Sequence, residues 1–231
     1  NGGAGWSGPW ESDSSSFTDF VVGASSLSVP GLFSSGGSAV FAYNGSNLND
    51  ARRDLPLQNS GVVFFQFASQ FGAQSGGGTP SIRLIASATG LTGGIGNNGS
   101  CGSPVYAILD TSLQASIASA CSAVSLSTLA AVVVRIDYTA NNTKMWVLPS
   151  LAGFDYLNPP PPSAEYPGLA PVFDRIALYS RNPATIDELK VFRVSNAVTG
   201  AQPVPLNAPA TLVFTMLALL YVAVRRLRQG D

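Results

Sequence analysis

The sequence contains no histidine, and this single absence removes Ser-His-Asp and Cys-His catalysis, histidine metal sites and histidine proton switching. Charge is scarce as well: 11% of the residues are Asp, Glu, Lys or Arg, roughly half the share of an average soluble protein. Residues 1–203 carry nine basic and twelve acidic side chains, a net of 9 − 12 = −3, and no basic patch occurs before the last few residues. That balance excludes nucleic acid as a partner, because phosphate backbones are held by clustered Lys and Arg. The only glutamates are Glu11, Glu165 and Glu188, whereas a retaining glycosidase must bring two carboxylates to within about 5 Å of each other. No enzyme is expected, and no catalytic residue is assigned. Gly76-Gly77-Gly78 and Gly93-Gly94-Ile95-Gly96 lack the strand-then-helix setting of a phosphate loop and read as flexible loops.

What is present points to an all-β protein. The chain holds 24 Gly and 16 Pro among many Ser, Asn and Thr, residues that form helices poorly and turns well. Period-two alternation or short β-branched and aromatic runs predict strands over Phe17–Val22, Ser38–Tyr43, Gly61–Ala68, Ser81–Ala86, Val105–Asp110, Leu129–Tyr138, Lys144–Leu148, Arg175–Ser180 and Ile186–Val194. In the segments around Arg135 and Arg175, Ile136 and Tyr138, or Ile176 and Leu178, share one face while charges take the other. One buried and one wet face, repeated, describe two antiparallel sheets packed as a sandwich. Long loops are expected over Gly72–Thr79, Gly90–Gly102 and Phe154–Pro171, the last carrying an extended polyproline segment, Asn158–Pro162, across the surface.

The C-terminal segment is of another kind. No charge occurs between Arg193 and Arg225, Ala210–Val224 is almost wholly apolar, and Arg225, Arg226 and Arg228 follow at once. From Val204 the uncharged stretch is about twenty-one residues, within the roughly 17–25 that a membrane-crossing helix needs. Leu212, Phe214, Leu217, Leu220 and Val224 are the expected membrane-anchoring residues, and the three arginines are the positive-inside signal that leaves the domain outside. The expected division is a sandwich over 1–195, a linker over 196–206 and a transmembrane helix with a basic cytoplasmic end over 207–231. The chain opens on Asn1 with no signal-like apolar core, so an upstream segment is expected. An exported domain sits in an oxidising compartment, and Cys101 and Cys121 are expected to form a disulfide that closes a loop.

Pro203-Val204-Pro205-Leu206-Asn207-Ala208-Pro209-Ala210-Thr211-Leu212, followed by an apolar helix and Arg225-Arg226-Leu227-Arg228, resembles the PEP-CTERM class of bacterial C-terminal sorting signals, with Asn-Ala-Pro-Ala-Thr in place of the Pro-Glu-Pro core. The resemblance implies recognition by an exosortase; retention as a single-span anchor is the alternative. Upstream, Gly2–Trp10, Ala51–Leu55, Val134–Tyr138, Phe173–Ile176 and Ile186–Val191 resemble a LamG-like, concanavalin A-like domain. This implies a jelly-roll scaffold whose members often bind carbohydrate. The Glu-x-Asp-x-(x)-Glu strand of laminarinase-type sandwiches is missing, since Glu11-x-Asp13 has no third carboxylate.

Two sets of side chains are candidates for binding. Trp6, Trp10 and Trp146 offer sugar-stacking faces, or else fill the core and its rim. Calcium is the one cofactor left open, with Asp174, Asp187 and Glu188 as ligand candidates and Asp54 and Asp137 as further donors; the competing reading pairs Asp187 and Glu188 with Arg175 or Arg181. Two functions follow. One is a non-enzymatic surface or matrix module that binds polysaccharide, located at the bacterial cell surface after sorting. The other is an accessory subunit that keeps its helix in the inner membrane among other membrane-protein subunits, as in an energy-transducing or photosynthetic assembly, with its sandwich capping the periplasmic face; Thr215, Ala218 and Ala223 would allow close helix contact.

Overall fold

The computed structural model describes residues 10–11, 21–23, 26–32, 38–41, 49–72, 80–97, 100–180 and 182–194. The anchor and positive-inside residues, from Leu212 to Arg228, lie outside this set, as does Trp6. Among the described residues no helix is long and apolar enough to cross a membrane.

The described residues form thirteen strands: β1 (Val21–Val22), β2 (Ala39–Phe41), β3 (Asn49–Gln58), β4 (Val62–Phe71), β5 (Ser81–Ala86), β6 (Gly90–Gly96), β7 (Val105–Leu109), β8 (Cys121–Ser125), β9 (Ala130–Asp137), β10 (Asn142–Leu148), β11 (Ala164–Pro167), β12 (Phe173–Ser180) and β13 (Ala184–Phe192). They build a larger sheet of seven strands, in the order β1-β2-β13-β4-β9-β10-β11, and a smaller sheet of six, in the order β3-β12-β5-β6-β7-β8. The strand pairings are antiparallel throughout, for example Phe65 with Val134 between β4 and β9, and Leu178 with Ile82 between β12 and β5. The chain crosses between the sheets at β2 to β3, β3 to β4, β4 to β5, β8 to β9, β11 to β12 and β12 to β13, which makes the sandwich a jelly-roll type.

The main core lies between the sheets. Val63, Phe65 and Phe67 of β4, Val132, Val134 and Ile136 of β9, and Met145 and Val147 of β10 meet Ile82, Leu84, Ile95, Ile176 and Leu178 of the smaller sheet. These residues alternate along their strands, as a half-buried strand requires. Within the core, Tyr106 shares a 2.9 Å hydroxyl–hydroxyl hydrogen bond with Ser69, and burial pushes its hydroxyl pKa up to about 12.

The expectation of one buried and one wet face is met in part by β5 and β12 of the smaller sheet, not by β7, where Tyr106–Leu109 is buried on both faces, and it fails for the larger sheet. The intervening residues of β4, β9 and β10 are also buried: Phe64, Ala68, Ala131, Val133 and Trp146 form a second apolar cluster on the outer face of the larger sheet, with Val29, Leu32 and Leu151 packed over them. Two segments make this cover, 26–32 and 149–162. They are tied to each other by the Leu151 N–H donating to the Pro30 carbonyl at 2.7 Å. Gly31 is the junction: its φ is +79°, and a Cβ there would stand 2.2 Å from the Ala152 nitrogen, so both backbone region and space require glycine.

Four strands are not predicted by the sequence pattern. β3 contains Arg52, Arg53, Asp54 and Pro56; it is an edge strand of its sheet, paired with β12 and otherwise, among the described residues, bridged by Glu11 alone, a position where proline and charge are tolerated. β6, read as part of a loop, is glycine-rich because its backbone runs close to its neighbours: a Cβ on Gly94 would lie 2.6 Å from the Ile82 carbonyl oxygen, and one on Gly96 2.3 Å from that of Pro80. β8 and β11 are short edge strands.

Candidate functional site

The two outer faces differ in kind. On the larger sheet the centre is an aromatic cluster sealed by the chain itself. Phe64 stacks on Phe192 at 5.8 Å, Tyr156 meets both edge-on, and Phe154 packs edge-on against Tyr156 at 4.9 Å and Trp146 at 5.7 Å. The indole Nε1–H of Trp146 donates to the Pro160 carbonyl at 2.7 Å, and the Tyr156 hydroxyl donates to Gln66 Oε1. Trp146 is 1% exposed. It therefore offers no face to a sugar, and its expected role as a sugar contact is corrected to that of a core residue. Its place on the outer face follows from parity: Met145 and Val147 point between the sheets, so Trp146 points away.

The outer face of the smaller sheet is polar. Ile176 and Leu178 point inward, so Arg175, Ala177 and Tyr179 of β12 point outward; by the same alternation Ser81 and Arg83 of β5 do so. Register places Arg52, Ala177, Arg83 and Gly94 in one cross-strand row, and Asp54, Arg175 and Ile85 in the next. Arg175 donates to both carboxylate oxygens of Asp54, at 2.6 and 3.3 Å. That hydrogen bond and the guanidinium charge hold Asp54 below its ordinary pKa and raise that of Arg175. Arg52 and Glu11 approach to 3.8 Å and bridge their backbones. The Arg83 guanidinium carbon lies 3.4 Å from the centroid of the Tyr179 ring, and both side chains are half-exposed.

The calcium candidates do not converge. The Asp174 carboxylate accepts from the backbone N–H of Ser87 at 2.8 Å and from the Ser87 hydroxyl. Asp187 is buried in β13, where it accepts the Leu27 N–H at 2.8 Å and so pins the start of the 26–32 segment. Glu188 sits in the β-bulge of β13 with φ +53° and pairs with Lys190 at 3.1 Å. The expected pairing of Asp187 and Glu188 with Arg175 is thus corrected, since Arg175 belongs to Asp54; Arg181 lies outside the described residues. Asp137 pairs with Arg135 at 2.7 Å and accepts two turn N–H groups. Among the described residues no three of Asp, Glu or Cys come together as a metal would need.

Asp110, Glu165 and Asp155 are also engaged. Asp110 accepts N–H bonds from Ser112 and Gln114 and a hydroxyl from Ser116; burial acts to raise its pKa, and these bonds outweigh it, leaving the group below the ordinary range. Glu165 accepts from Asn142 at 2.5 Å and pairs with Lys144 at 3.4 Å, and both lower its pKa. Asp155 closes a turn by accepting the Leu157 N–H at 2.8 Å. A general acid needs a pKa raised toward neutrality, and the shifts of Asp54, Asp110 and Glu165 run the other way. For a carboxylate lowered on folding, stability is fully present above the unfolded pKa and is lost as pH falls through the folded one. The melting temperature should therefore be level between pH 7 and 5 and fall below about pH 4. Thermal unfolding of Asp54→Asn along the same pH series should show a shallower fall, and an equal slope would sink the assignment to this pair.

Cys101 and Cys121 are joined, with Cα atoms 5.7 Å apart, as the sequence leads one to expect. Trp10 is half-buried against the main core, with the Arg53 guanidinium 5.9 Å from its ring. The pair that sequence reading missed is Arg83 and Tyr179. Each lies in a predicted strand, yet nothing in either segment says that β5 and β12 are neighbours.

No family model matches the chain, and no curated protein matches it. Among solved structures the chain is similar to "Cellulose induced protein, Cip1", at 13% identity and TM-score 0.48, over 82% of this chain and 92% of that one. It is also similar to a sialidase, at 10% identity and TM-score 0.43, over 69% of this chain and only 15% of the sialidase. Carbohydrate binding module CBM66 from Bacillus subtilis follows at 7% identity and TM-score 0.40, over 77% of this chain and 99% of the module.

Proposed function

We propose that this protein is a non-catalytic, exported polysaccharide-binding module, tethered or sorted at a bacterial membrane by its apolar C-terminal segment, which places it at the cell surface or in the surrounding matrix. The observation that carries the reading is the contrast between the outer faces: the centre of one, Phe64 and Trp146, is buried under the chain's own segments, and the other presents charged and polar side chains with the Arg83–Tyr179 stack half-exposed. A sheet face of this kind suits an extended chain laid across strands better than a reacting bond held in a cleft. The non-catalytic part is supported by the described carboxylates, each of which already holds a hydrogen bond or ion pair within the domain. Export is supported by the disulfide, which persists in oxidising compartments.

The test is affinity electrophoresis of the full chain through gels containing neutral or acidic polysaccharides, with reducing ends assayed in parallel. Retardation by at least one polymer without release of reducing ends is expected. Migration unchanged in every gel overturns the binding reading, and turnover abolished by changing one acidic residue overturns the non-catalytic one. Tethering is tested by Leu217→Asp, since a charge at a helix centre costs about 2.5–3.5 kcal/mol of insertion free energy; the variant should leave the membrane fraction, and its retention after carbonate washing counts against the anchor.

A further inference from the structure

Resting on the polysaccharide-binding reading, we infer that Arg83, braced on Tyr179, is the recognition group of the smaller sheet's outer face, and that it selects anionic polysaccharides, those bearing uronate or sulfate groups.

Arg83 differs from the other arginines of this face. Arg175 is bound to Asp54 through two nitrogens, and Arg52 stands beside Glu11. Arg83 has no carboxylate partner among the described residues; its contacts are the Tyr179 ring and, at 3.5 Å, the Ser81 hydroxyl. A guanidinium laid on an aromatic ring keeps its charge and its in-plane N–H donors while losing rotational freedom. That is a pre-organised fork, and the acceptors whose geometry it matches are carboxylate and sulfate-like oxyanions taken two oxygens at a time.

The same stack argues against a neutral sugar. Neutral sugars are held largely by apolar contact with an exposed aromatic face, and the Tyr179 face toward Arg83 is covered at 3.4 Å. The floor around the pair is shallow: Ala177 stands between Arg52 and Arg83 in one row, Gly94 continues that row beyond Arg83, and Ser81 and Gly96 pair in the neighbouring one. Ser81 and Ala177 are buried, at 2% and 3% exposed, so contact with a polymer falls to the half-exposed Arg83 and Tyr179 side chains. Arg52 lies two strands from Arg83, about 9–10 Å away at the backbone, which places a second cation along the same line.

The experiment compares polygalacturonate and alginate with two neutral glucans in affinity gels, using the full chain, Arg83→Ala and Arg83→Lys. Wild type is expected to be retarded by the acidic polymers and released by salt. Arg83→Ala should weaken that retardation about tenfold or more, the scale of one charge-assisted, two-point contact. Arg83→Lys, which keeps the charge and loses the fork, should recover only part of it, and this variant serves alone if Arg83→Ala does not fold. Retardation by the neutral glucans, unaltered in both variants, overturns the inference while the binding module stands. Acidic-polymer binding that neither variant weakens overturns it as well. Retardation by none of the four overturns both this inference and the function on which it rests.

Discussion

Trp146→Ala should lower the stability of the sandwich by about 3–5 kcal/mol, the cost of emptying a large aromatic site in a packed interior. Trp146 is 1% exposed, packs edge-on with Phe154, and sits in the second apolar cluster with Phe64, Val133 and Leu151. Its removal also leaves the Pro160 carbonyl without the indole donor. For a domain of this size the loss corresponds to a fall in melting temperature of roughly 2–4 °C per kcal/mol. Trp146→Phe keeps much of the apolar volume and loses the hydrogen bond, so it should fall between the two. Denaturant midpoints of the three proteins are the measurement. A loss below about 1 kcal/mol for the alanine variant would show that the 149–162 cover does not depend on the indole, and that this face is less tightly closed than its packing implies.

The second large effect is expected at the disulfide. Cys101 and Cys121 are 20 residues apart in sequence, and chain-entropy bookkeeping for a closed loop of that length gives roughly 3 kcal/mol of stabilisation, mainly by restricting the unfolded chain. The double variant Cys101→Ser/Cys121→Ser should lose about that much. Local structure gives the loss a direction. Cys121 is the first residue of β8, an edge strand paired only with β7, through Val105–Ser125 and Ala107–Cys121 with a register shift between them. Without the bridge, β8 should open before the rest of the domain. Amide exchange that rises first in residues 121–125 is the expected pattern, and protection there unchanged from wild type would mean that β8 is held by its packing alone.

Both effects bear on the proposed role. A module that works outside the cell benefits from a cross-link that survives there, and on the larger sheet the 149–162 cover buries Phe64 and Trp146. In the proposed function the recognition surface is the outer face of the smaller sheet, where Arg175 and Asp54 hold each other and Arg83 has no carboxylate partner among the described residues.

The sequence by itself determined the class of protein and much of the strand inventory. Alternation is a local signal: Ser81–Ala86 is predicted and observed with the same bounds, and β4, β9, β10, β12 and β13 are found within a few residues of their predicted ends. It also determined which chemistry is absent, because a missing histidine needs no fold to be interpreted. The apolar C-terminal segment is legible for the same reason, as a local run of side chains.

Tertiary structure decided what local signals cannot carry. β6 reads as a loop because glycine has no intrinsic preference for a strand, and only the backbones of Ile82 and Pro80 pressing against Gly94 and Gly96 explain why glycine must stand there. The apolar run Val62–Phe65 is compatible with a strand buried on both faces, yet what covers the second face comes from residues 26–32 and 149–162, far away in the chain. The polyproline segment marks an extended path, and the acceptor it offers to Trp146 exists only once that path crosses β10. Arg83 and Tyr179 are 96 positions apart, and their stack depends on β12 inserting between β3 and β5. Side-chain parity is written along a strand, whereas the identity of the neighbouring strand is set by how the whole chain closes its core.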